Sequence, residues 1–112
     1  MTREQLAEQH CKARKGEHAL DAARIRELLA ALPEWKAATD GKSIAKTFKF
    51  KNFYETLGFV NAVGWTANQQ DHHPDLEVGY GSCVVHWSTH DVGGLSMNDF
   101  ICAAKVETIA NG

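Results

Sequence analysis

Proline and cysteine are scarce in this sequence, and it has no long apolar run. Only 2 residues are proline and 3 are cysteine, namely Cys11, Cys83 and Cys102. An odd number of cysteines at wide spacings argues against a disulfide framework, so we expect free thiols in a reducing compartment. No segment approaches the roughly 18 apolar residues of a membrane span, and the N-terminus lacks the apolar stretch of a signal peptide. We therefore expect a cytoplasmic protein that does not bind a membrane.

An excess of charge of either sign is also absent. The 12 Lys and Arg residues nearly balance the 14 Asp and Glu residues, so the formal net charge is -2. This balance gives no overall attraction to nucleic acids, and no nucleic-acid motif is present, so we expect no direct nucleic-acid binding. A chain of 112 residues suits one hydrophobic core. We predict a single domain over residues 19–112, after a polar N-terminal arm at residues 1–18 that is flexible or a frayed helix.

Helical and strand patterns alternate along the first part of this domain. A first helix begins near Asp21 and ends before Pro33, which cannot continue it. A hairpin with a turn at Asp40 and Gly41 follows. Asn52 can then cap a second helix that runs to about residue 69.

The second helix carries an apolar set at helical spacing that predicts its sheet-facing side. This set comprises Phe53, Leu57, Val60 and Gly64.

The remaining chain repeats the hairpin-then-helix order. Residues 76–80 and 83–89 alternate between apolar and polar positions, which predicts two further strands. Ser96 and Asp99 then form a capping box for a last helix. The order α-β-β-α-β-β-α indicates an α+β fold, with a four-stranded antiparallel sheet covered on one face by three helices.

Histidine is concentrated in two short segments, DHHPD and STHD, which contain His72, His73 and His90. Strand alternation predicts that His86 and His90 point the same way. An unperturbed imidazole has a pKa of about 6.5, so a histidine cluster can exchange protons near neutral pH. Ordinary surface histidines and a zinc site remain alternatives, although the zinc alternative lacks cysteine or carboxylate ligands at a familiar spacing.

The order of these residues resembles the signature of the pterin-4a-carbinolamine dehydratases. The matching elements are Trp35, the segment FKFKNF, His72, His73, Pro74, Tyr80, the STH that ends at His90, and Asp99. The similarity covers about residue 35 to the final helix. Departures from the family pattern are Asn68, where a charged residue is frequent, Asp91, where some members have glutamate, and the first 18 residues.

The resemblance implies dehydration of a 4a-hydroxytetrahydropterin to the quinonoid dihydropterin, without a metal or another cofactor. Two or three imidazoles suffice for the proton transfers that this reaction needs. His72 and His90 are then the proton-transfer residues, and His73 holds the pterin. The expected substrate-binding residues are Asp71, Ser88, Thr89, Trp35 and Asp99.

The resemblance also implies partners. Members of this family form homodimers or homotetramers through exposed strand edges, and some are dimerisation cofactors of a transcription factor through a helix surface. Protein binding is therefore the alternative function that we expect from the sequence.

Overall fold

The computed structural model describes residues 1–111, which form four α-helices and a four-stranded sheet. The elements in chain order are α1 (Arg3–Glu8), α2 (Ala22–Leu29), β1 (Lys36–Ala37), β2 (Ile44–Lys49), α3 (Phe53–Gln70), β3 (Asp75–Val78), β4 (Ser82–Trp87) and α4 (Met97–Asn111). A 3₁₀ turn, His90–Val92, lies between β4 and α4. The predicted α+β class and antiparallel sheet are confirmed, and α1 adds a helix to the predicted order.

The sheet is antiparallel throughout and has the spatial order β1-β2-β4-β3. Side chains along β4 alternate as the sequence predicts, because Cys83, Val85 and Trp87 are buried and the residues between them are partly exposed. His86 lies on the more exposed face, opposite Asp75 of β3 in the register. One face of the sheet therefore contributes to the core.

Helix α4 is buried around most of its circumference, because it packs against α1, α3 and β4. Its buried residues include the polar side chains of Asn98, Asp99 and Glu107. A buried polar group is costly unless it is hydrogen-bonded, so each of these side chains must have partners. Across residues 1–111, none of the helices combines the length and the apolar character that crossing a bilayer requires.

Helix α3 begins at the predicted cap, where the Asn52 side chain accepts a hydrogen bond from the backbone of Glu55 at 3.0 Å. The predicted sheet-facing side of α3 is wrong. Phe53 and Leu57 are 44% and 42% exposed, and the fully or nearly buried side comprises Thr56, Phe59, Val63 and Ala67.

Two features of α3 explain this error. Apolar residues occur around the whole circumference of α3, so their periodicity does not single out one side. Thr56 can be buried because two backbone oxygens, those of Asn52 and Tyr80, lie 2.9 and 2.8 Å from its hydroxyl as acceptors for its single proton.

The N-terminal segment, which we expected to be a flexible arm or a frayed helix, packs against the rest of the protein. Leu6 of α1 is fully buried, and α1 lies against α4. Lys105 of α4 donates a hydrogen bond to the backbone oxygen of Ala7 at 2.7 Å. The sequence signal is weak because α1 is only one and a half turns long and buries one large apolar side chain. The domain boundary at residue 18 remains a prediction.

Candidate active site

A cavity of about 630 Å³ lies where the N-terminal segment meets the ends of α3 and β4. Its walls are residues 11–14, residues 69–73, residues 88–91, and Asn98 from the first turn of α4. The structure therefore brings together six of the eight predicted site residues, namely Asp71, His72, His73, Ser88, Thr89 and His90.

The end of α3 positions the first histidine segment. Asp71 has a left-handed backbone with φ of 51°, and its N–H returns to the carbonyls of the last helical turn. The backbone N–H of His72 also donates to the Ala67 carbonyl, at 3.2 Å. Pro74 follows and cannot extend the helix, so the chain turns into β3 and leaves His72 and His73 at the cavity.

The second histidine segment lies at the start of a tight turn that follows β4. Thr89 and Gly94 exchange backbone hydrogen bonds of 2.8 and 3.4 Å, and Gly93 has the left-handed φ of 66° that this turn requires. His90 therefore belongs to the 3₁₀ turn and not to the strand. The prediction that His86 and His90 point the same way is wrong, because His86 pairs with Glu77 on the outer face of the sheet while His90 lines the cavity.

His72 is the most firmly held of the three histidines. Its Nε2 lies 2.7 Å from Oδ1 of Asp99, and with Asp99 ionised Nε2 is the donor. Its ring also stacks on Trp87, with the centroids 5.5 Å apart and the planes inclined by 12°. Charge and packing together fix this imidazole in one orientation.

Asp99 is completely buried and holds the site together from inside the core. Its second oxygen, Oδ2, accepts hydrogen bonds from the Thr89 hydroxyl at 2.7 Å and from the Ser96 backbone at 2.9 Å. The predicted capping role of Asp99 is therefore confirmed, and the same carboxylate also links both histidine segments. Asp99 contacts His72 and lies behind the cavity wall.

Two opposing effects act on the pKa of His72. Burial lowers this pKa, but the hydrogen bond and the negative charge of Asp99 raise it by more, so the pKa of His72 lies above its ordinary value. Nearby Cys11 adds to the rise and Arg14 opposes it. His72 is therefore more often protonated near neutral pH than an unperturbed histidine.

His73 and His90 differ from His72 because both are exposed. Nε2 of His73 lies 3.0 Å from Oδ1 of Asn68, one turn earlier in the chain on α3. His90 forms part of the cavity wall and lies next to Asp91 in the 3₁₀ turn. The site therefore combines one largely buried, ion-paired imidazole with two that face solvent.

Trp35 has a different position from the one predicted. It is buried in the core, where its ring meets Phe48 edge-on at a centroid distance of 6.0 Å. Its backbone N–H donates to the Leu32 carbonyl at 3.0 Å, in the turn after α2. The cavity is lined by other residues, so the expected contact of Trp35 with a substrate is not supported by this arrangement.

The N-terminal wall of the cavity was missed in the sequence. The Asn98 side chain holds this wall, because its Oδ1 accepts from Lys12 N at 3.2 Å and Arg14 Nε at 3.0 Å. Its Nδ2 donates to the Lys12 carbonyl at 2.8 Å. These bonds join positions more than 80 residues apart, and no local sequence pattern could have indicated them.

A zinc site would need several ligating side chains close together. Within residues 1–111, no group of three or more His, Cys, Asp or Glu side chains is arranged to hold a metal ion. The alternative therefore has no ligand cluster to support it in the described part of the chain.

Comparison with known sequences identifies related proteins. Residues 18–109 match the family model described as Pterin 4 alpha carbinolamine dehydratase. A Xanthomonas campestris pv. campestris (strain 8004) protein, named as a candidate pterin-4-alpha-carbinolamine dehydratase, is 57% identical over 102 residues, which cover 90% of this chain and 86% of the relative. A similarly named protein of Stenotrophomonas maltophilia (strain R551-3) is 53% identical over 105 residues, covering 93% and 90%.

Solved structures share the fold. A Brucella melitensis protein described as a transcriptional coactivator/pterin dehydratase is 31% identical, with a TM-score of 0.79 over 83% of this chain and 99% of that one. A pterin dehydratase-like protein, described as a RuBisCO assembly factor in the alpha-carboxysome, is 18% identical, with a TM-score of 0.62 over 70% of this chain and 92% of that one. The second likeness shows the fold alone.

The fold and the cavity define a class of small α+β proteins in which histidines from the end of a long helix and from the turn after a central strand share one site. The chain belongs to the pterin-4-alpha-carbinolamine dehydratase family, whose model matches most of its length. Family membership and the names of the relatives support a pterin-4a-carbinolamine dehydratase activity. The resemblance found in the sequence is thereby confirmed.

Proposed function

We propose that this protein dehydrates a 4a-hydroxytetrahydropterin to the quinonoid dihydropterin, with His72 as the acid and His90 as the base. The single observation that carries this proposal is the pairing of His72 with the buried Asp99 at the wall of a cavity. The raised pKa increases the protonated fraction of His72 near neutral pH, which suits a group that must donate a proton.

The reaction requires the bond between carbon 4a and the hydroxyl oxygen to break and two protons to be transferred. The lone pair of ring nitrogen N5 expels the hydroxyl at carbon 4a, and His72 protonates this hydroxyl as it leaves as water. Because Nε2 of His72 is engaged by Asp99, Nδ1 is the nitrogen that remains for the substrate. His90 accepts a ring N–H proton, and exchange with water then restores both histidines.

The other lining residues fit roles in binding. A pterin is a flat heterocycle with several hydrogen-bonding edges, and the cavity offers the polar side chains of His73, Asp71 and Ser88. Thr89 is committed to Asp99 and Ser96, at 2.7 Å each, so we assign it to positioning. His73 is therefore the histidine that we assign to holding the substrate.

The test is a direct assay of dehydration with His72→Ala, His73→Ala and His90→Ala. Each proton-transfer group typically contributes about 10²- to 10⁴-fold to the rate, so we expect losses in this range for His72 and His90. His73→Ala should mainly raise KM. The matched control is His18→Ala, since His18 is exposed and lies outside the cavity. Near-normal rates in all three cavity variants would overturn the proposal.

We also propose that the exposed side of α3 binds a second copy of this chain. Tyr54 and Trp65 are 91% and 68% exposed there, together with the half-exposed Phe53 and Leu57, and monomers rarely present so many large apolar side chains on one helix. The related Brucella melitensis protein is described as a transcriptional coactivator as well as a dehydratase, so a different protein partner is the alternative occupant.

Light scattering during size-exclusion chromatography tests this interface. Wild type should elute as a dimer or tetramer, and Leu57→Glu should shift it toward the monomer. Ala23→Glu, which adds the same charge on an exposed position of α2, should leave the oligomer unchanged. A monomeric wild type would overturn self-association. Capture of a partner protein that survives the loss of all three cavity histidines would then favour the alternative.

A further inference from the structure

Two cysteines from distant parts of the chain are in contact at the wall of the cavity. Sγ of Cys11 lies 3.4 Å from Sγ of Cys102, although the residues are 91 positions apart. Cys11 is partly exposed and lines the cavity, while Cys102 is completely buried in α4. A small molecule that enters the cavity can therefore reach the first thiol but not the second.

The surroundings of the two thiols make them chemically unequal. The hydrogen bond from Cys102 lowers the pKa of Cys11, and the positive charges of His72 and Lys105 lower it further against the opposing effect of burial. The same hydrogen bond and burial raise the pKa of Cys102. Cys11 is thus the thiol that ionises first, and Cys102 remains protonated beside it.

An accessible thiolate with a second thiol in contact is the arrangement in which oxidation ends in a disulfide. We propose that Cys11 is a modification site for hydroperoxides and that Cys102 is its resolving thiol. Neither residue is assigned a proton transfer or a substrate contact in the proposed dehydration, and the proposal depends on the contact between the two sulfurs, so it stands independently of that function.

The chemistry proceeds in two balanced steps. The Cys11 thiolate attacks the terminal peroxide oxygen, an S–O bond forms and the O–O bond breaks. The leaving alkoxide or hydroxide takes up the proton that the Cys11 thiol released and becomes an alcohol or water. Cys11 is thereby oxidised by two electrons to a sulfenic acid while the hydroperoxide is reduced. The Cys102 sulfur then attacks the Cys11 sulfur, and the hydroxyl leaves with the Cys102 proton as water. The products are one disulfide, one alcohol or water, and one further water.

The disulfide would fasten the N-terminal wall of the cavity to α4. In the reduced protein this wall is held by hydrogen bonds, including those that Asn98 makes to Lys12 and Arg14. A covalent link between residues 11 and 102 closes a long loop, and such a link reduces the conformational entropy of the unfolded chain. Oxidation should therefore stabilise the fold.

Cys83 provides an internal control. It is completely buried in β4, and burial raises the pKa of its thiol. Its sulfur contacts the Val84 carbonyl oxygen within the sheet, away from the pair formed by Cys11 and Cys102. If oxidation depends on the pair, Cys83 should remain a thiol when the pair has reacted.

The experiment treats the reduced full-length protein with a small excess of hydrogen peroxide and follows it by mass spectrometry. We expect the protein to lose two hydrogens in mass. A digest without reductant should contain the Cys11 and Cys102 peptides joined by a disulfide, and dithiothreitol should reverse both changes. Tm should rise by about 5 °C or more on oxidation. Cys102→Ser should instead accumulate a sulfenic acid at Cys11, and Cys11→Ser should show neither product.

Several results would overturn the proposal. Oxidation of Cys83 before the pair, a link between different cysteines, or an absence of reaction at peroxide levels that oxidise free cysteine would each contradict it. The peptide map of wild type gives this answer even if a variant fails to fold, and circular dichroism of each variant identifies such a failure.

Discussion

His72 and Asp99, which lie 27 positions apart in sequence, share a 2.7 Å hydrogen bond in which the carboxylate is completely buried. A buried carboxylate without a partner would be costly, and this one accepts from an imidazole, a hydroxyl and a backbone N–H. The pair therefore joins the start of α4 to the end of α3 and sets the protonation of His72. Stability and the proposed chemistry depend on the same contact.

Replacing Asp99 by asparagine should lower the pKa of His72. The amide keeps the shape of the side chain but carries no charge, so the lowering effect of burial is no longer outweighed. We expect the His72 imidazole resonances in NMR spectra to titrate at lower pH. The dehydration rate at neutral pH should fall by about tenfold or more, since less of the acid form is present.

Glu77→Gln is the matched control, because it removes the carboxylate partner of a different histidine, His86, on the outer face of the sheet. This variant should leave the titration of His72 unchanged. An unaltered His72 titration in Asp99→Asn would contradict the assignment of Asp99 as the cause of the raised pKa.

The same contact predicts how stability depends on pH. A histidine whose pKa is raised by folding stabilises the protein fully below its unfolded pKa of about 6.5, and this contribution is lost as the pH rises through the folded pKa. The loss in the free energy of unfolding caused by His72→Gln should therefore be larger at about pH 5 than at about pH 8. Urea unfolding at both pH values measures it.

His18→Gln serves as the control for this measurement, because His18 is exposed. Its effect on the free energy of unfolding should be small at both pH values. A loss in His72→Gln that is equal at the two pH values, or larger at the higher one, would mean that packing against Trp87 and not the charge of Asp99 dominates.

Local signals in the sequence were sufficient for most of the fold. The start of α2 near Asp21, the cap at Asn52 and the alternation along β4 depend on residues close in the chain, and these predictions are confirmed. The buried side of α3 could not be found this way, because it depends on a hydroxyl of Thr56 that bonds to Tyr80. Only the folded chain brings these two residues together.

The candidate site was predictable in part. The two histidine segments are conspicuous in sequence, and the structure places His72, His73 and His90 at one cavity. Their roles in catalysis remain predictions. The opposite wall was not predictable, because residues 11–14 form an irregular segment that is held by side-chain hydrogen bonds to Asn98. Such contacts leave no periodic pattern in the sequence.

Asn98→Ala should release this wall. The substitution removes three hydrogen bonds and leaves the nearly buried Arg14 without its amide acceptor, so we expect a loss of about 1–3 kcal/mol in the free energy of unfolding. Hydrogen exchange at residues 11–14 should accelerate. Lys42→Ala, at an exposed position in the turn before β2, is the control and should change little. Unchanged exchange in Asn98→Ala would show that other contacts, such as the 2.8 Å hydrogen bond from Cys11 N–H to the Gln70 side chain, hold the segment.

The ion pair between Lys46 of β2 and Glu107 of α4 permits a final prediction. Both oxygens of Glu107 lie 2.9 Å from the Lys46 ammonium, and the two side chains are only 13% and 7% exposed. Removing Glu107 leaves the Lys46 ammonium poorly solvated, with the exposed Glu34 carboxylate 3.7 Å away as its remaining ion-pair partner. Loss of one partner from a buried pair typically costs about 3 kcal/mol. Glu107→Ala should therefore be strongly destabilising in urea unfolding.

The double variant Lys46→Met/Glu107→Leu tests why Glu107→Ala is destabilising. The cause is either the lost attraction between the two charges or the poorly solvated Lys46 ammonium that remains. Because apolar residues of similar size can replace a buried ion pair with little loss, this variant should recover most of the stability that Glu107→Ala loses. Glu27→Ala, which breaks the exposed pair with Arg24, is the control and should cost less than about 1 kcal/mol. If the double variant is as unstable as Glu107→Ala, the attraction itself stabilises the contact between α4 and the sheet.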